Sequence, residues 1–222
     1  MKNHILSIQL RLAEDERARL VALQQAFAEL CNALVPVVRQ NRCWNRVGLH
    51  HLAYHALRAR FPRMGSQMVC NAIYSVSRAY RVIPRKPDAP LPLLEFLPSA
   101  PVFFDRHTVS LRDHCLSIYT LDGRIRFGFA MPPEILRVFS NERLREIVLR
   151  RQGETFSLFF HMQGSADPET GSGDLPEYLV LLPDRTGTRA SGRAERLAEH
   201  LETPPALEYP LPEKVSKTGV SF

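Results

Sequence analysis

The sequence lacks the features that mark several common functional classes. No apolar run approaches the roughly 20 residues that cross a bilayer, and residues 1–12 alternate polar and apolar side chains instead of forming the apolar core of a signal peptide. No P-loop, GxSxG, HExxH or GxGxxG motif occurs. We therefore expect a cytoplasmic protein without membrane contact that is not an enzyme; an enzyme without these motifs is the alternative.

Metal-binding patterns are also missing. The four cysteines form no CxxC pair of the kind found in zinc knuckles. His51 and His55 have an i, i+4 spacing that could bind a metal ion, but no carboxylate lies near them in the sequence and their neighbours are cationic. We expect no metal and no other cofactor.

The most informative absence is that of acidic residues between Glu29 and Asp88, an interval that carries ten basic residues. Surface segments normally mix charges, and a long stretch of one sign repels itself unless a polyanion neutralises it. The basic residues are Arg39, Arg42, Arg46, Arg58, Arg60, Arg63, Arg78, Arg81, Arg85 and Lys86. The charge pattern predicts a polyanionic partner.

Aromatic and amide side chains lie among these basic residues, which favours nucleic acid over lipid as the partner. Aromatic rings among guanidinium groups suit base stacking beside phosphate pairing. Wound as a helix, residues 63–83 have an apolar face that can pack on a core and an opposite polar stripe that would face solvent. The stripe comprises Arg63, Gln67, Asn71, Tyr74, Arg78 and Arg81. Gln and Asn can bond base edges, and Arg can bond bases or phosphates. A solvated helix face is the alternative. The predicted nucleic-acid contacts are the basic residues above together with Trp44, Gln67, Asn71 and Tyr74.

Periodicity and turn residues predict one strand, three helices and then a series of strands. The segment Pro84–Pro101 holds six prolines and predicts a linker without helix or central strand. The predicted helices are Ala13–Val38, Val47–Arg60 and Arg63–Ile83. The predicted strands are Ile5–Leu12, Val102–Asp105, Thr108–Leu111, Cys115–Thr120, Arg124–Phe129, Leu144–Arg150, Thr155–Met162 and Glu177–Leu182.

This order of elements predicts an α+β fold, with an antiparallel β-barrel whose first strand is separated from the others by a helical insertion. Residues 1–12 and 88–163 would form the barrel, and residues 13–87 the insertion. Residues 164–222 would form a partly disordered tail with one strand and one short helix, Ala190–Leu201.

Residues 5–162 also contain, after an opening strand and helix, three segments in a characteristic order: HHLAYHALRARFPRMGSQMVCNAIYSVSRAYR, VFFDRHTVSLRDHCLSIYTLDGRIRFGF and RLREIVLRRQGETFSLFFHM. Together they resemble the N-terminal half of the TnpB (OrfB) family of transposon-encoded RNA-guided nucleases, which is related to type V CRISPR effectors. In that family a helix-loop-helix with a Ser-Gln step precedes a strand-hairpin block and a second hairpin.

The resemblance implies a wedge-type, oligonucleotide-binding-like barrel with a helical recognition insertion. Such a unit binds structured guide-like RNA and the duplex DNA beside the target. By resemblance, Arg63 and Gln67 match the spacing of a basic residue and a Gln that help to read the target-adjacent motif. The family often has Lys at the first position, which leaves the preferred motif open.

The RuvC nuclease of the family has no counterpart in this sequence. Where the family has an lGiDlG strand with the first catalytic Asp, this chain reads GDLPEYLVLLPDRTGT. Asp184 follows an apolar run, but Pro183 precedes it, so we interpret Asp184 as a loop residue; two-metal chemistry needs several convergent carboxylates.

The sequence therefore predicts a nuclease-deficient binding protein that works alone or with a separately encoded nuclease or transposase. Two alternatives stay open. One is an interaction protein whose basic helical block binds an acidic protein, and the other is a truncated, non-functional transposon relic.

Overall fold

The computed structural model describes residues 5–83, 90–112, 115–128, 139, 144–162 and 176–183. Helices and antiparallel strands occur together, which confirms the predicted α+β class. The elements are β1 (Ile5–Gln9), α1 (Glu14–Asn41), α2 (Arg46–Arg60), α3 (Ser66–Val82), β2 (Leu93–Phe96), β3 (Val102–Phe104), β4 (Val109–Arg112), β5 (Cys115–Thr120), β6 (Gly123–Gly128), β7 (Leu144–Gln152), β8 (Thr155–Met162) and β9 (Leu179–Leu182).

The longest helix, α1, is a core helix. Its first turn is acidic, which suits the positive end of the helix dipole, and the Glu16 carboxylate accepts a hydrogen bond from the Ala13 backbone N–H at 2.9 Å. Contrary to the sequence-based expectation, α1 is long and apolar enough to cross a membrane. Its apolar face is nevertheless buried against the rest of the protein, with Leu23, Leu30 and Leu34 fully enclosed, as in a core helix of a soluble protein.

Local interactions determine where α2 and α3 begin. The Asn45 side chain accepts a hydrogen bond from the Gly48 N–H at 2.7 Å and so caps α2. Helix α3 begins at Ser66 with Gly65 as its N-cap, so the predicted start at Arg63 is wrong. Arg63 lies in the preceding loop, and it is therefore not one helical turn from Gln67.

This loop is held against strand β5 and helix α2. Tyr119 on β5 accepts a hydrogen bond from the Gly65 N–H at 2.8 Å and donates one to the Arg63 carbonyl oxygen at 3.0 Å. The Arg58 guanidinium donates to the carbonyl oxygen of Met64. These bonds satisfy backbone groups that the break between α2 and α3 would otherwise expose.

The strands form three antiparallel sheets, ordered β1-β8-β7-β3, β2-β9 and β4-β5-β6. Strand β1 pairs with β8, so the first strand lies beside one from much later in the chain. Gly123 and Gly153 adopt positive φ at the turns between β5 and β6 and between β7 and β8, where glycine carries no steric cost. Within the described residues the ladders do not close into a barrel.

The proline-rich segment is not wholly a linker. Leu93–Phe96 forms β2 and pairs with β9, and Leu91, Leu94 and Phe96 are buried. Strand β9, which was predicted as part of a tail, therefore belongs to a sheet. The predicted helix Ala190–Leu201 and the linker residues 84–89 lie outside the described residues.

Helices and sheets share one hydrophobic core. Leu34 of α1 and Met68 of α3 belong to the same cluster as Phe96 of β2, Ile118 of β5 and Leu158 of β8. The helical segment therefore packs directly on the strands that precede and follow it.

Candidate nucleic-acid interface

Arg78 is buried, which contradicts the prediction that it faces solvent. Arg78 is 5% exposed, and its Nη1 donates hydrogen bonds to the two carboxylate oxygens of Glu146 at 2.9 and 3.1 Å. The guanidinium also lies over the Phe103 ring at 5.4 Å. Because α3 packs its polar stripe against β3 and β7, Arg78 neutralises an internal carboxylate and is not placed to contact phosphate.

The middle of the same stripe also faces inward. Asn71 is buried, Gln67 and Tyr74 are half-buried, and the Tyr74 hydroxyl donates to Glu146 at 3.2 Å. Burial and the neighbouring Glu146 raise the pKa of Tyr74, so its phenol stays protonated. The prediction of a solvent-facing stripe is therefore wrong for Asn71 and Arg78, while Arg81 at its far end is exposed.

Three further arginines have structural partners. Arg39 Nε donates to the Leu91 carbonyl oxygen at 2.9 Å, and Arg58 holds the loop before α3 as described. Arg63 pairs with Asp122 at 2.5 Å, but both side chains are more than half exposed. Surface pairs of this kind contribute little stability and are screened by salt, so Arg63, the most exposed of the three, can contact a ligand.

Apart from Arg63, the predicted basic contacts that are exposed in the described residues lie at the helix ends. Arg42 lies at the C-terminus of α1 in a left-handed conformation, Arg46 and Arg60 begin and end α2, and Arg81 lies in the last turn of α3; all four are exposed. Trp44, between α1 and α2, is half-buried. The predicted contacts Arg85 and Lys86 lie outside the described residues.

Helix α2 presents most of its circumference to solvent because it buries only one residue per turn: Leu49, Ala53 and Leu57. Beside this buried row the half-buried His50 and Tyr54 rings stack at 4.6 Å with an interplanar angle of 18°. Tyr54 meets the exposed His55 edge to face at 5.3 Å. The sequence of α2 contains no acidic residue. We call this the α2 surface, comprising Arg46, His50, His51, Tyr54, His55 and Arg60.

A cleft of about 180 Å³ adjoins the α2 surface at Arg46. The Arg46 guanidinium lies over the Tyr74 ring at 5.7 Å, and Tyr74 meets Phe103 edge to face at 5.9 Å. The cleft brings together four predicted residues, Arg46, Gln67, Asn71 and Tyr74, with Phe103, Phe104, Asp105, Arg145 and Glu146. The latter come from β3, the turn after it and β7, and no local sequence signal links them to α3.

The two carboxylates that line the cleft are both held by hydrogen bonds. The Asp105 carboxylate accepts hydrogen bonds from the backbone N–H groups of His107 and Thr108, while the Glu146 carboxylate is held by Arg78 and Tyr74. Burial lowers the pKa of His161, whose β-strand register places it opposite Glu146, so this imidazole is neutral at pH 7. No described group of three or more His, Cys, Asp and Glu side chains is arranged to hold a metal ion.

Comparison of the chain with known protein families and with curated protein sequences gives no match. The resemblance to the TnpB family therefore stays a prediction from the motifs.

Proposed function

We propose that this chain binds nucleic acid through the α2 surface. The observation that carries the proposal is that α2 has no acidic residue and exposes two arginines and two histidines beside the half-buried, stacked rings of His50 and Tyr54. At a rise of about 1.5 Å per residue, Arg46 and Arg60 lie about 21 Å apart along the helix. A nucleic-acid backbone presents phosphates over such a span, and unpaired bases can stack on the rings.

The chemistry of the surface favours nucleic acid over the alternative of an acidic protein partner. A protein carboxylate would use the guanidinium groups and leave the His50 and Tyr54 rings without a role. Single-stranded regions of structured RNA supply both phosphates and π faces. Exposed Arg42, Arg81 and Arg63 extend the proposed contact beyond α2, whereas Arg39, Arg58 and Arg78 are not part of it.

The wider proposal follows the TnpB resemblance. It comprises a cytoplasmic protein that binds structured guide-like RNA and duplex DNA through a wedge-type barrel and helical insertion, with cleavage left to a separately encoded nuclease or transposase. The pairing of β1 with β8 around the helical segment supports this arrangement. By the resemblance Arg63 and Gln67 would read the target-adjacent motif. Exposed Arg63 remains a proposed reader, whereas Gln67 is half-buried in the cleft and does not share a helix with Arg63.

The test is a salt titration of RNA binding with two matched double variants. Arg46→Gln/Arg60→Gln removes two charges from the α2 surface, and Arg106→Gln/Arg126→Gln removes two exposed charges elsewhere. The RNA that copurifies with the protein is sequenced, synthesised and used as the probe in fluorescence anisotropy.

For wild type we expect log K to fall linearly with log salt. Each phosphate contact contributes roughly 0.7 to 0.9 to the slope, so the α2 variant should lose roughly 1.4 to 1.8 and the control variant little. Equal losses in both variants, or wild-type binding that does not depend on salt, would overturn the proposal. If wild type binds an acidic protein but no RNA, the interaction-protein alternative is correct.

A further inference from the structure

Asn71 lines the cleft, and in the described part of the chain its side-chain amide makes only long hydrogen bonds although it is buried. It is only 8% exposed. Its Oδ1 accepts a long bond of 3.4 Å from Gln67 Nε2, and its Nδ2 approaches the Met68 sulfur at 4.0 Å. An amide can donate two hydrogen bonds and accept two, and buried polar groups normally have at least one partner with good geometry. Within the described structure, Asn71 therefore keeps hydrogen-bonding capacity that a ligand in the cleft can use.

The walls of the cleft suit a planar, partly polar ring. Tyr74 and Phe103 supply aromatic surface, and the volume of about 180 Å³ admits one ring system and not a base pair. Gln67 and Asn71 are one helical turn apart and both line the cleft. A side-chain amide pairs bidentately with N6 and N7 of adenine.

The charges place the phosphate outside the cleft. Of the charged groups in its lining, Glu146 is paired with Arg78 and Asp105 accepts backbone N–H groups, whereas Arg46 and Arg145 are exposed. Arg46 lies at the junction with the α2 surface and is exposed. A nucleotide would therefore insert its base and leave its phosphate at Arg46.

The concave shape distinguishes an unpaired base from the edge of a paired one. In a duplex, base edges lie at the floor of a groove and are read by side chains that project from a convex element. Here the amides are half-buried or buried within a depression. A base splayed out from a single strand can enter it, as in the pockets of proteins that bind extruded bases.

We propose that the cleft formed around Gln67 and Asn71 binds one unpaired nucleobase, with adenine preferred, from a strand whose backbone lies on the α2 surface. This inference rests on the proposed function and adds to it a base-specific site.

The experiment uses the full chain and compares Asn71→Leu with Asn41→Leu, a control at an exposed position on α1. The first probe is adenosine 5′-monophosphate, whose binding is detected by changes in the NMR signals of the side-chain amide groups. Ribose 5-phosphate serves as the matching probe that lacks a base. The second probe is a single-stranded oligoadenylate, compared with oligouridylate of equal length.

We expect adenosine monophosphate, and not ribose 5-phosphate, to shift the amide signals of Gln67 and Asn71. Asn71→Leu should abolish the effect at Gln67 and weaken oligoadenylate binding about tenfold, with an unchanged salt slope and little change for oligouridylate. Asn71→Leu should melt at or above the wild-type temperature, because leucine needs no hydrogen bonds. Gln67→Leu, at a half-buried position, provides the same test if Asn71→Leu does not fold.

If wild type and Asn71→Leu bind oligoadenylate equally, the inference is overturned. The proposed function would still be supported if salt-dependent RNA binding is lost in Arg46→Gln/Arg60→Gln. Absence of salt-dependent RNA binding by wild type overturns the proposed function, and the strand contact proposed here with it. In that case an adenosine-specific shift at Gln67 would identify a site for free nucleotides only.

Discussion

At the scale of single residues, the same side chain type has two different roles in this protein. Arg78 and Arg63 belong to the same acid-poor stretch of sequence, but Arg78 is buried against Glu146 and Arg63 is exposed beside Asp122. A buried charge without its partner is strongly destabilising, whereas an exposed pair contributes little. Burial, rather than residue type, therefore decides which arginine stabilises the fold and which can bind a ligand.

The two ion pairs provide a prediction with an internal control. Glu146→Gln removes the negative charge that Arg78 Nη1 contacts in the buried pair, and should lower the free energy of unfolding by about 3 to 5 kcal/mol. Asp122→Asn, which breaks the exposed pair, should change it by less than about 1 kcal/mol. Urea denaturation measures both.

The double variant Arg78→Met/Glu146→Leu should recover part of the loss, because it removes both charges together. If Glu146→Gln unfolds at the wild-type urea concentration, the pair does not stabilise the fold as the geometry indicates.

At the scale of elements, side chains of α1 bond the edge of strand β2 that does not pair with β9. One edge of β2 pairs with β9, and the other faces polar side chains of α1. Asn32 donates to the Phe96 carbonyl oxygen at 2.9 Å and accepts from the Phe96 N–H at 2.7 Å. The fully buried Gln24 donates to the carbonyl oxygens of Ser99 and Ala100. Asn32 therefore satisfies backbone groups at the edge of β2, and Gln24 satisfies those of the loop that follows the strand.

We predict that Asn32→Leu lowers the free energy of unfolding by about 1 to 3 kcal/mol, because it leaves both backbone groups of Phe96 without this partner. Amide hydrogen exchange at Phe96 should accelerate relative to strand β8. The matched variant Asn41→Leu, at the exposed end of the same helix, should leave both measurements near wild type. Unchanged exchange at Phe96 in Asn32→Leu would show that β9 alone holds β2.

At the scale of the whole molecule, the proposed activity is binding without cleavage. We predict that the purified chain cuts neither DNA nor RNA in Mg²⁺ or Mn²⁺, because its sequence does not hold the carboxylate set of the RuvC active site. The measurement is a gel assay with single-stranded and duplex substrates, performed on wild type and Asp184→Ala. Cleavage that both proteins show equally indicates a contaminant, whereas cleavage by wild type that Asp184→Ala lacks would contradict the prediction.

Much of the fold could be predicted from local patterns. Strands Cys115–Thr120 and Thr155–Met162 lie where alternation predicts them, and α2 differs from its prediction by one residue. These elements carry their signals in neighbouring residues: a period of side chains, a cap at Asn45, a glycine at Gly123. Strand β2 lacks such a signal, because proline-rich neighbours mask it and its partners Asn32 and β9 are distant in sequence.

The candidate site divides in the same way. The basic charge of the helical segment, with no acidic residue between Glu29 and Asp88, and the polar stripe of α3 can both be read from the sequence. Charge and helical periodicity depend only on the order of the residues. The tertiary structure alone decided that the stripe faces β3 and β7, that Glu146 neutralises Arg78, and that Asn71 lines a cleft while α2 remains at the surface. Periodicity shows that a helix has two faces, but only packing determines which face meets solvent, since burial depends on the elements that cover it.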